Sequence, residues 1–412
     1  MSVILAGTGC GSRGTMTAEV LDAMREADCL IGAKRLLESI PAEYTANRKG
    51  AVYASEICSM IQTQLAEAEE TGREAHICVL YSGDSGFYSG TRSLLPLLAE
   101  AGIETKVCPG ISSIQVLSAR LGIPWQDWLL VSAHGTDCDA VTSVMQGRQV
   151  FFLTGGKLGP RELCAQLAEA GLGALPVTVA ERLSYDDETI IQGTAAEFSQ
   201  RDFHVLSVML AEPADCAGDL SPGIDDSEFI RGEVPMTKQD IRAAILGHLQ
   251  IRKADTVWDV GAGTGSVSIE MAMKASRGRV YAVEKVPEGC SLIRQNREKF
   301  GVWNLQVREG AAPEALVDLP APDKVFIGGS NGQLKQITQI ALDKNPNARI
   351  CVSAIVLETL QEAAEAMTAA GLDVGIVQVQ VNTARKLGKK HMMMAGNPIY
   401  IVTGQRQEAA DA

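Results

Sequence analysis

The 412-residue chain has little that would mark a metalloprotein, a disulfide-stapled protein or a nucleic-acid binder. Its ten cysteines stand singly, with no C-x-x-C pair, and several lie inside apolar runs such as "HICVLY" at 76–81. That pattern predicts reduced core thiols. Only five histidines occur, far apart, so no metal site is expected. Aromatic residues make up 5% and the net charge is −13, a balance that repels phosphate backbones. No run approaches the ~20 apolar residues of a membrane span. The start, "MSVILAGTGCGSRG", lacks the basic leader and apolar core of a signal peptide. Neither nucleic acid nor a membrane is an expected partner, and the expected compartment is the cytoplasm. A small organic substrate fits better.

What is present is an ordinary globular composition, 46% hydrophobic and 21% charged, with length enough for two or three domains. Strand-like runs alternate with helical ones in both halves, which predicts α/β architecture with mainly parallel sheets. In the first half these are "SVILAG", "CLIG", "HICVLYSG" and "TKVCPG", then "WLLVSAHG", "RQVFFLTGG", "LPVTVAERL", "TIIQGT" and "HVLSVMLAE". The break near "PGISSIQVLSARLG" suggests two subdomains. The second half offers about seven strands, from "TVWDVGAG" to "PIYIVTG", a common size for a cofactor-binding sheet. Between the halves, 212–235 is aperiodic and rich in Pro, Gly, Asp and Ser, as a linker or an arm laid over a neighbouring domain would be. The boundary is therefore drawn there, between 1–211 and 236–412.

Two glycine-rich turns, differently written, stand out. In "DVGAGTGSVSIE" Gly261, Gly263 and Gly265 follow a strand and open a helix, and Glu284 ends the next strand in "VYAVEK". An acidic side chain at that place can accept hydrogen bonds from both ribose hydroxyls of a nucleoside cofactor. The spacing is G-x-G-x-G preceded by Asp259, which suits a cationic amino-acid portion better than a diphosphate. It resembles the first motif of class I S-adenosylmethionine methyltransferases. With "MTKQDIRAAILGHLQI", "REGAAPEAL" and "KVFIGGSNGQL" in order, residues 235–404 resemble the C15-methylating, decarboxylating methyltransferases of corrin biosynthesis. That resemblance implies a Rossmann-like seven-stranded domain in which Thr237, Gly261, Ala262, Gly263, Thr264, Gly265, Glu284 and Ala312 contact S-adenosylmethionine. Ala311 departs from the family, which often has Asp there.

The N-terminal turn "GTGCGS", with "YSGDSGFYSG" and "PGISS", is similar to the tetrapyrrole methylases over 2–211. Their implied fold has two subdomains with S-adenosylmethionine in the cleft, contacted here by Gly7, Gly9, Gly83, Asp84, Phe87, Ser112 and Ser113. The family's Pro and Asp in the first loop are replaced by Cys10 and Ser12. "VSAHG" and "AERLSYDDETI" resemble the branch that methylates C5. The pair in this order resembles the family of bifunctional precorrin-6Y C5,15-methyltransferases (decarboxylating) or their cobalt-pathway equivalents. The implied chemistry is methylation of a corrin precursor at C5 and C15, with loss of the C12 acetate carboxyl, in cobalamin biosynthesis. Two S-adenosylmethionine sites, one per domain, and self-association are implied with it.

Methyl transfer from a sulfonium needs alignment more than a strong base. Candidate catalytic residues are His134 after the strand in "VSAHG", and Ser330 and Asn331 after the strand in "KVFIGGSNG". Candidate cations for substrate carboxylates are Arg385, Lys386 and Lys389 in "TARKLGKKH", read as a loop between late strands, with Lys238 and Arg242 as weaker ones. A merely solvated charged loop is the competing reading. "NPIY" at 397–400 reads as a strand entry, and "HMMMAG" as core or interface packing. The rival functions are an RNA or protein S-adenosylmethionine-dependent methyltransferase with an accessory N-terminal domain, and a non-catalytic tetrapyrrole binder.

Overall fold

Short apolar runs with little alternation build the sheets, as strands covered on both faces require. In the computed structural model, which describes residues 2–41, 44, 47–135, 138–216 and 223–406, the chain is a mixed α/β protein of two compact units. Unit 1 comprises Met1–Cys138, Arg148–Ala165 and Ala174–Glu212, and unit 2 the remainder.

The first sheet of unit 1 contains β1 (Ser2–Gly7), β2 (Cys29–Gly32), β3 (Arg48–Gly50), β4 (His76–Tyr81) and β5 (Thr105–Cys108) in the order β3-β2-β4-β1-β5. Every pair is parallel. All four residues of β2 are buried, and Leu5, Leu30 and Ile31 are wholly inaccessible. Gly7 lies opposite Tyr81, so the loops that follow β1 and β4 begin side by side. The short edge strand β3, with the sequence Arg-Lys-Gly, carries no apolar signal and was not expected.

A second sheet holds β6 (Leu129–Ser132), β7 (Val150–Leu153), β8 (Pro176–Glu181), β9 (Thr189–Thr194) and β10 (Ser207–Ala211), ordered β6-β7-β10-β8-β9. Only β6 and β7 pair in parallel, and the other three pairs are antiparallel. The expectation of mainly parallel sheets fails here. For one of these pairs the cause is connection length: the short segment 182–188 between β8 and β9 can join only antiparallel neighbours.

In unit 2, β11 (Thr256–Val260), β12 (Arg279–Glu284), β13 (Leu305–Glu309), β14 (Lys324–Ile327), β15 (Arg349–Ala354), β16 (Asp373–Val379), β17 (Asn382–Leu387), β18 (Lys390–Ala395) and β19 (Ile399–Gln405) follow in sequence. Seven of them form one sheet, β13-β12-β11-β14-β15-β19-β16, parallel except for the two pairs made by β19. With β12 and β14 on either side of β11, consecutive crossovers diverge there, which opens a crevice beyond the carboxyl end of β11. Trp258 of β11 is fully buried and its indole N–H donates to the Pro320 carbonyl at 3.1 Å.

Two sequence expectations need correction in this unit. The segment read as a basic loop is a separate two-stranded hairpin, β17 with β18, in which Lys386 pairs with His391. Gly388, at φ +59°, supplies the backbone that a two-residue turn needs. Every residue of both strands is exposed, Met392, Met393 and Met394 included, so "HMMMAG" is not core. Of the stretch 212–235, read as a linker or an arm laid over a neighbouring domain, the part from Gly223 onward packs into unit 2 as an arm: Ile224 and Phe229 are buried with Ile241 and Ile245. Residues 217–222 lie outside the described residues. No helix among the described residues is long and apolar enough to cross a membrane.

Candidate functional site

At the carboxyl end of β11 the chain turns through Gly261, Gly263 and Gly265, all at positive φ (+75°, +58° and +78°). A Cβ on Gly261 would come within 2.8 Å of the Gly329 backbone, on Gly263 within 2.8 Å of the Pro235 carbonyl, and on Gly265 within 2.8 Å of Ile293. Only glycine satisfies both the conformation and the space. The Gly261 and Ala262 N–H groups donate to the Val283 carbonyl, at 2.9 and 3.1 Å. Glu284 is buried, and its two oxygens accept the Gly263 and Val286 N–H groups at 2.8 Å each. Asp259 is wholly inaccessible to water. Its Oδ2 accepts the Ser268 hydroxyl, while Oδ1 has no partner. Burial pushes its carboxyl up to about 7.

A cavity of about 470 Å³ opens over this loop. Asp259, Gly261 to Gly263 and Glu284 form its floor, Gly310 to Ala312 and Gly328 to Asn331 its sides, and Val234 to Thr237 of the arm its remaining wall. Ser330, Asn331, Thr237 and Ala312 thus line one cavity. Thr264 and Gly265 do not line the cavity. The Thr264 hydroxyl is buried without a partner, and Gly265 caps the helix Ser266–Lys274.

Unit 1 has a larger cavity, about 760 Å³, at the ends of β4, β6, β7 and β8. Gly83, Phe87, Ser112, Ser113 and His134 line it. Ser112 precedes the helix Ser113–Leu121, where the Gln115 amide oxygen accepts its N–H at 2.6 Å. The His134 ring lies against Gly155, where a Cβ would be 2.0 Å from Nδ1. Gly7, Gly9 and Asp84 lie behind the lining and hold its loops. Gly9 and Gly83 exchange backbone hydrogen bonds at 2.8 and 3.1 Å, and a Cβ on Gly7 would meet the Gly110 N–H at 2.7 Å. Asp84 accepts the Gly86 and Gly110 N–H groups, at 2.8 and 3.1 Å, the work of a turn residue. Cys10 lines the cavity with its thiol on the Ile111 carbonyl at 3.3 Å, and burial pushes that thiol up to about 12, so it is no nucleophile at neutral pH.

Comparison with known proteins divides the chain into two matched stretches. Residues 2–199 match the family model of tetrapyrrole (corrin/porphyrin) methylases, and residues 228–406 that of the precorrin methyltransferase domain. A probable cobalt-precorrin-6B C(15)-methyltransferase (decarboxylating) of Pyrobaculum calidifontis is 41% identical over 44% of this chain and 95% of its own. The crystal structure of a precorrin-6Y C5,15-methyltransferase from Geobacter metallireducens GS-15 matches at 38% identity and a TM-score of 0.43, covering 45% of this chain and 98% of that one. A precorrin-6Y C(5,15)-methyltransferase [decarboxylating] of a Sinorhizobium species spans both halves, 35% identical over 73% of this chain and 75% of its own length. The chain belongs to the precorrin-6Y C5,15-methyltransferase (decarboxylating) family.

In this precorrin-6Y C5,15-methyltransferase family member the expected substrate cations of unit 2 do not reach its cavity. Arg385, Lys386 and Lys389 stand exposed on the hairpin, and none lines the cavity. Lys238 is exposed too, its Nζ 3.7 Å from Asp226. Arg242 is wholly buried and fully committed: Nε donates to Glu270 at 2.8 Å, and Nη1 to Asp226 at 2.8 Å and to the Thr237 carbonyl at 2.6 Å. Glu270 in turn accepts the Gly223 and Ile224 N–H groups at 2.7 and 3.1 Å. This network ties the arm to the domain, and the arm walls the cavity. Sequence reasoning missed Val234, Pro235 and Met236 as lining residues, because an aperiodic Pro-Gly-Asp segment carries no pattern that distinguishes a wall from a tether.

Proposed function

We propose that unit 1 methylates C5 and unit 2 methylates C15 of a corrin precursor, with release of the C12 acetate carboxyl as CO2, each unit drawing on its own S-adenosylmethionine. The observation that carries the reading is the pair of separate cavities, each built on glycine turns that leave backbone exposed to a ligand. The unit 2 cavity fits that cofactor on its own chemistry. Asp259 Oδ1 is an unpartnered buried oxygen in the lining, complementary to an ammonium or sulfonium, and the cradle over Gly261 and Gly263 is one that a Cβ would fill. The class I, Rossmann-like description of unit 2 and the two-subdomain methylase description of unit 1 are part of the same proposal, with the division between 212 and 223.

When bound, S-adenosylmethionine supplies an electrophilic methyl and a neutral sulfide leaving group. The chain's own work is alignment and exclusion of water. Glu284 retains acceptor capacity for a ribose beside its two backbone bonds. Ser330 and Asn331, in the cavity lining, are the polar groups proposed to orient the macrocycle, and Asn331 is held at φ +49°. His134 is the matching polar group proposed in unit 1. Free cysteines, most of them buried, support a reducing cytoplasmic setting, and the exposed Met392–Met394 surface supports self-association.

Calorimetric titration of the whole chain with S-adenosylhomocysteine is expected to reveal two sites. Mass spectrometry of the turnover product is expected to show two added methyl groups and the loss of CO2. A single site, or methylation with the carboxyl retained, defeats the two-reaction reading.

A further inference from the structure

Among the described residues, the lining of the unit 1 cavity contains no aspartate or glutamate, in a chain of net charge −13. It does contain Arg35, Arg182, His134 and His204. The two arginines are gathered around one ring. Arg182 stacks its guanidinium over Tyr185, 4.5 Å from the centroid, and Arg35 Nη1 donates to the Tyr185 hydroxyl at 3.3 Å. The ring rests on the first glycine turn: a Cβ on Gly11 would fall 2.3 Å from Tyr185. Arg35 is exposed and no carboxylate among the described residues pairs with it, while Arg182 spends only its Nε on Asp187, at 2.6 Å. His204 Nδ1 accepts the Leu206 N–H at 3.0 Å, which leaves Nε2 as the ring nitrogen available to a ligand.

The backbone is strained to hold this arrangement. Arg182 and Ser184 adopt φ +50° and +68°, a region that non-glycine residues enter only when their surroundings force them. Those surroundings are visible: the Arg182 N–H donates to Leu206, the Ser184 N–H to Glu188 at 2.6 Å, and Glu188 is anchored by Arg120 at 2.6 Å. Of the five described non-glycine residues at positive φ, Tyr88 and Arg182 line this cavity and Asn331 lines the other. Strain therefore concentrates at the two cavities.

We propose that Arg35 and Arg182, braced by Tyr185, form the wall that grips the carboxylate side arms of the macrocyclic substrate in unit 1. This rests on the reading of unit 1 as a tetrapyrrole methylase and supplies the substrate clamp that the hairpin cations do not. The planar guanidinium fork matches a carboxylate in two parallel hydrogen bonds. Val205, exposed at the cavity's edge, offers an apolar contact for the ring itself.

The test uses the whole chain, with uroporphyrin as a polycarboxylate probe and a porphyrin bearing neutral side arms as its control, each followed by fluorescence titration. Arg35→Ala and Arg182→Lys are each expected to weaken uroporphyrin binding about tenfold, as loss of a charged hydrogen bond does, and the double variant by more. The neutral porphyrin should bind poorly to all forms. S-adenosylhomocysteine stoichiometry, unchanged in the variants, reports that the cavity is folded. Wild-type uroporphyrin affinity in Arg35→Ala and Arg182→Lys, or equal binding of the neutral porphyrin, overturns the clamp. Failure of unit 1 to bind S-adenosylhomocysteine in the unaltered chain would instead count against the methylase reading, with the porphyrin titration standing apart.

Discussion

The two cavities solve opposite electrostatic problems. That of unit 2 is floored by two buried carboxylates, Asp259 and Glu284, and is walled by a segment upstream of its sheet. That of unit 1 has two arginines in its lining and, among the described residues, no carboxylate. Water screens a surface charge but screens a buried one far less, so each cavity's own lining outweighs the acidic total of the chain. The comparison teaches that ligand charge is set locally. Net charge argues against a nucleic-acid partner but says nothing about where a polyacid is held.

The contrast can be broken most strongly at Arg242. Arg242→Met leaves Glu270 buried and unpaired and is expected to destabilise unit 2 by about 3–5 kcal/mol. In a calorimetric melt one transition should move and the other stay. If both move equally, the arm network does not belong to unit 2 alone. Gly261→Ala is next: left-handed backbone plus a Cβ 2.8 Å from Gly329 should cost about 2–4 kcal/mol. One of the two S-adenosylhomocysteine sites should then vanish from the isotherm while the unit 1 site persists. Glu284→Gln should weaken the unit 2 site about tenfold, through the ribose contact and the two amides it now satisfies.

A pH series sharpens the comparison further. Desolvation raises Asp259 from an ordinary carboxylate value near 3.8 to about 7. Between those values folded unit 2 holds a proton that the unfolded chain has released, so its stability falls as pH rises from about 4 to about 7 and levels off above. A bound cation favours the ionised form, so affinity at this site should rise through the same upper limit. Asp259→Asn should remove both trends, as a pH series of melts and titrations would reveal. The smallest effect is expected from Lys386→Glu with Lys389→Glu: exposed charges outside the cavity should change uroporphyrin affinity by less than about twofold. A larger loss would restore the hairpin as a clamp.

Much of this was legible in the chain and some was not, for physical reasons. Buried parallel strands announce themselves as apolar runs, so "SVILAG" coincides with its strand, while "TVWDVGAG" runs three residues past Val260 into the glycine turn. Glycine turns between a strand and a helix are equally readable, because no other residue tolerates φ near +70° at such close approach. The hairpin β17–β18 was hidden since it buries neither face and its strands show no alternation. Arg35 and Arg182 were invisible as a pair, being far apart in sequence and joined only through the ring of Tyr185. Arg242 was misread because a lone cation on a helix looks the same whether it faces solvent or the buried Glu270 and half-buried Asp226.

The arm has a consequence for how this polypeptide can be divided. A gene split at the compositional break, just before Met236, would release a C-terminal fragment without Ile224, Phe229 and Asp226. Its fully buried arginine would lose one of two acidic partners, and the mouth of the pocket would lie open on the side Val234 and Pro235 now close. A free-standing version of that half, natural or engineered, has to start upstream of Gly223.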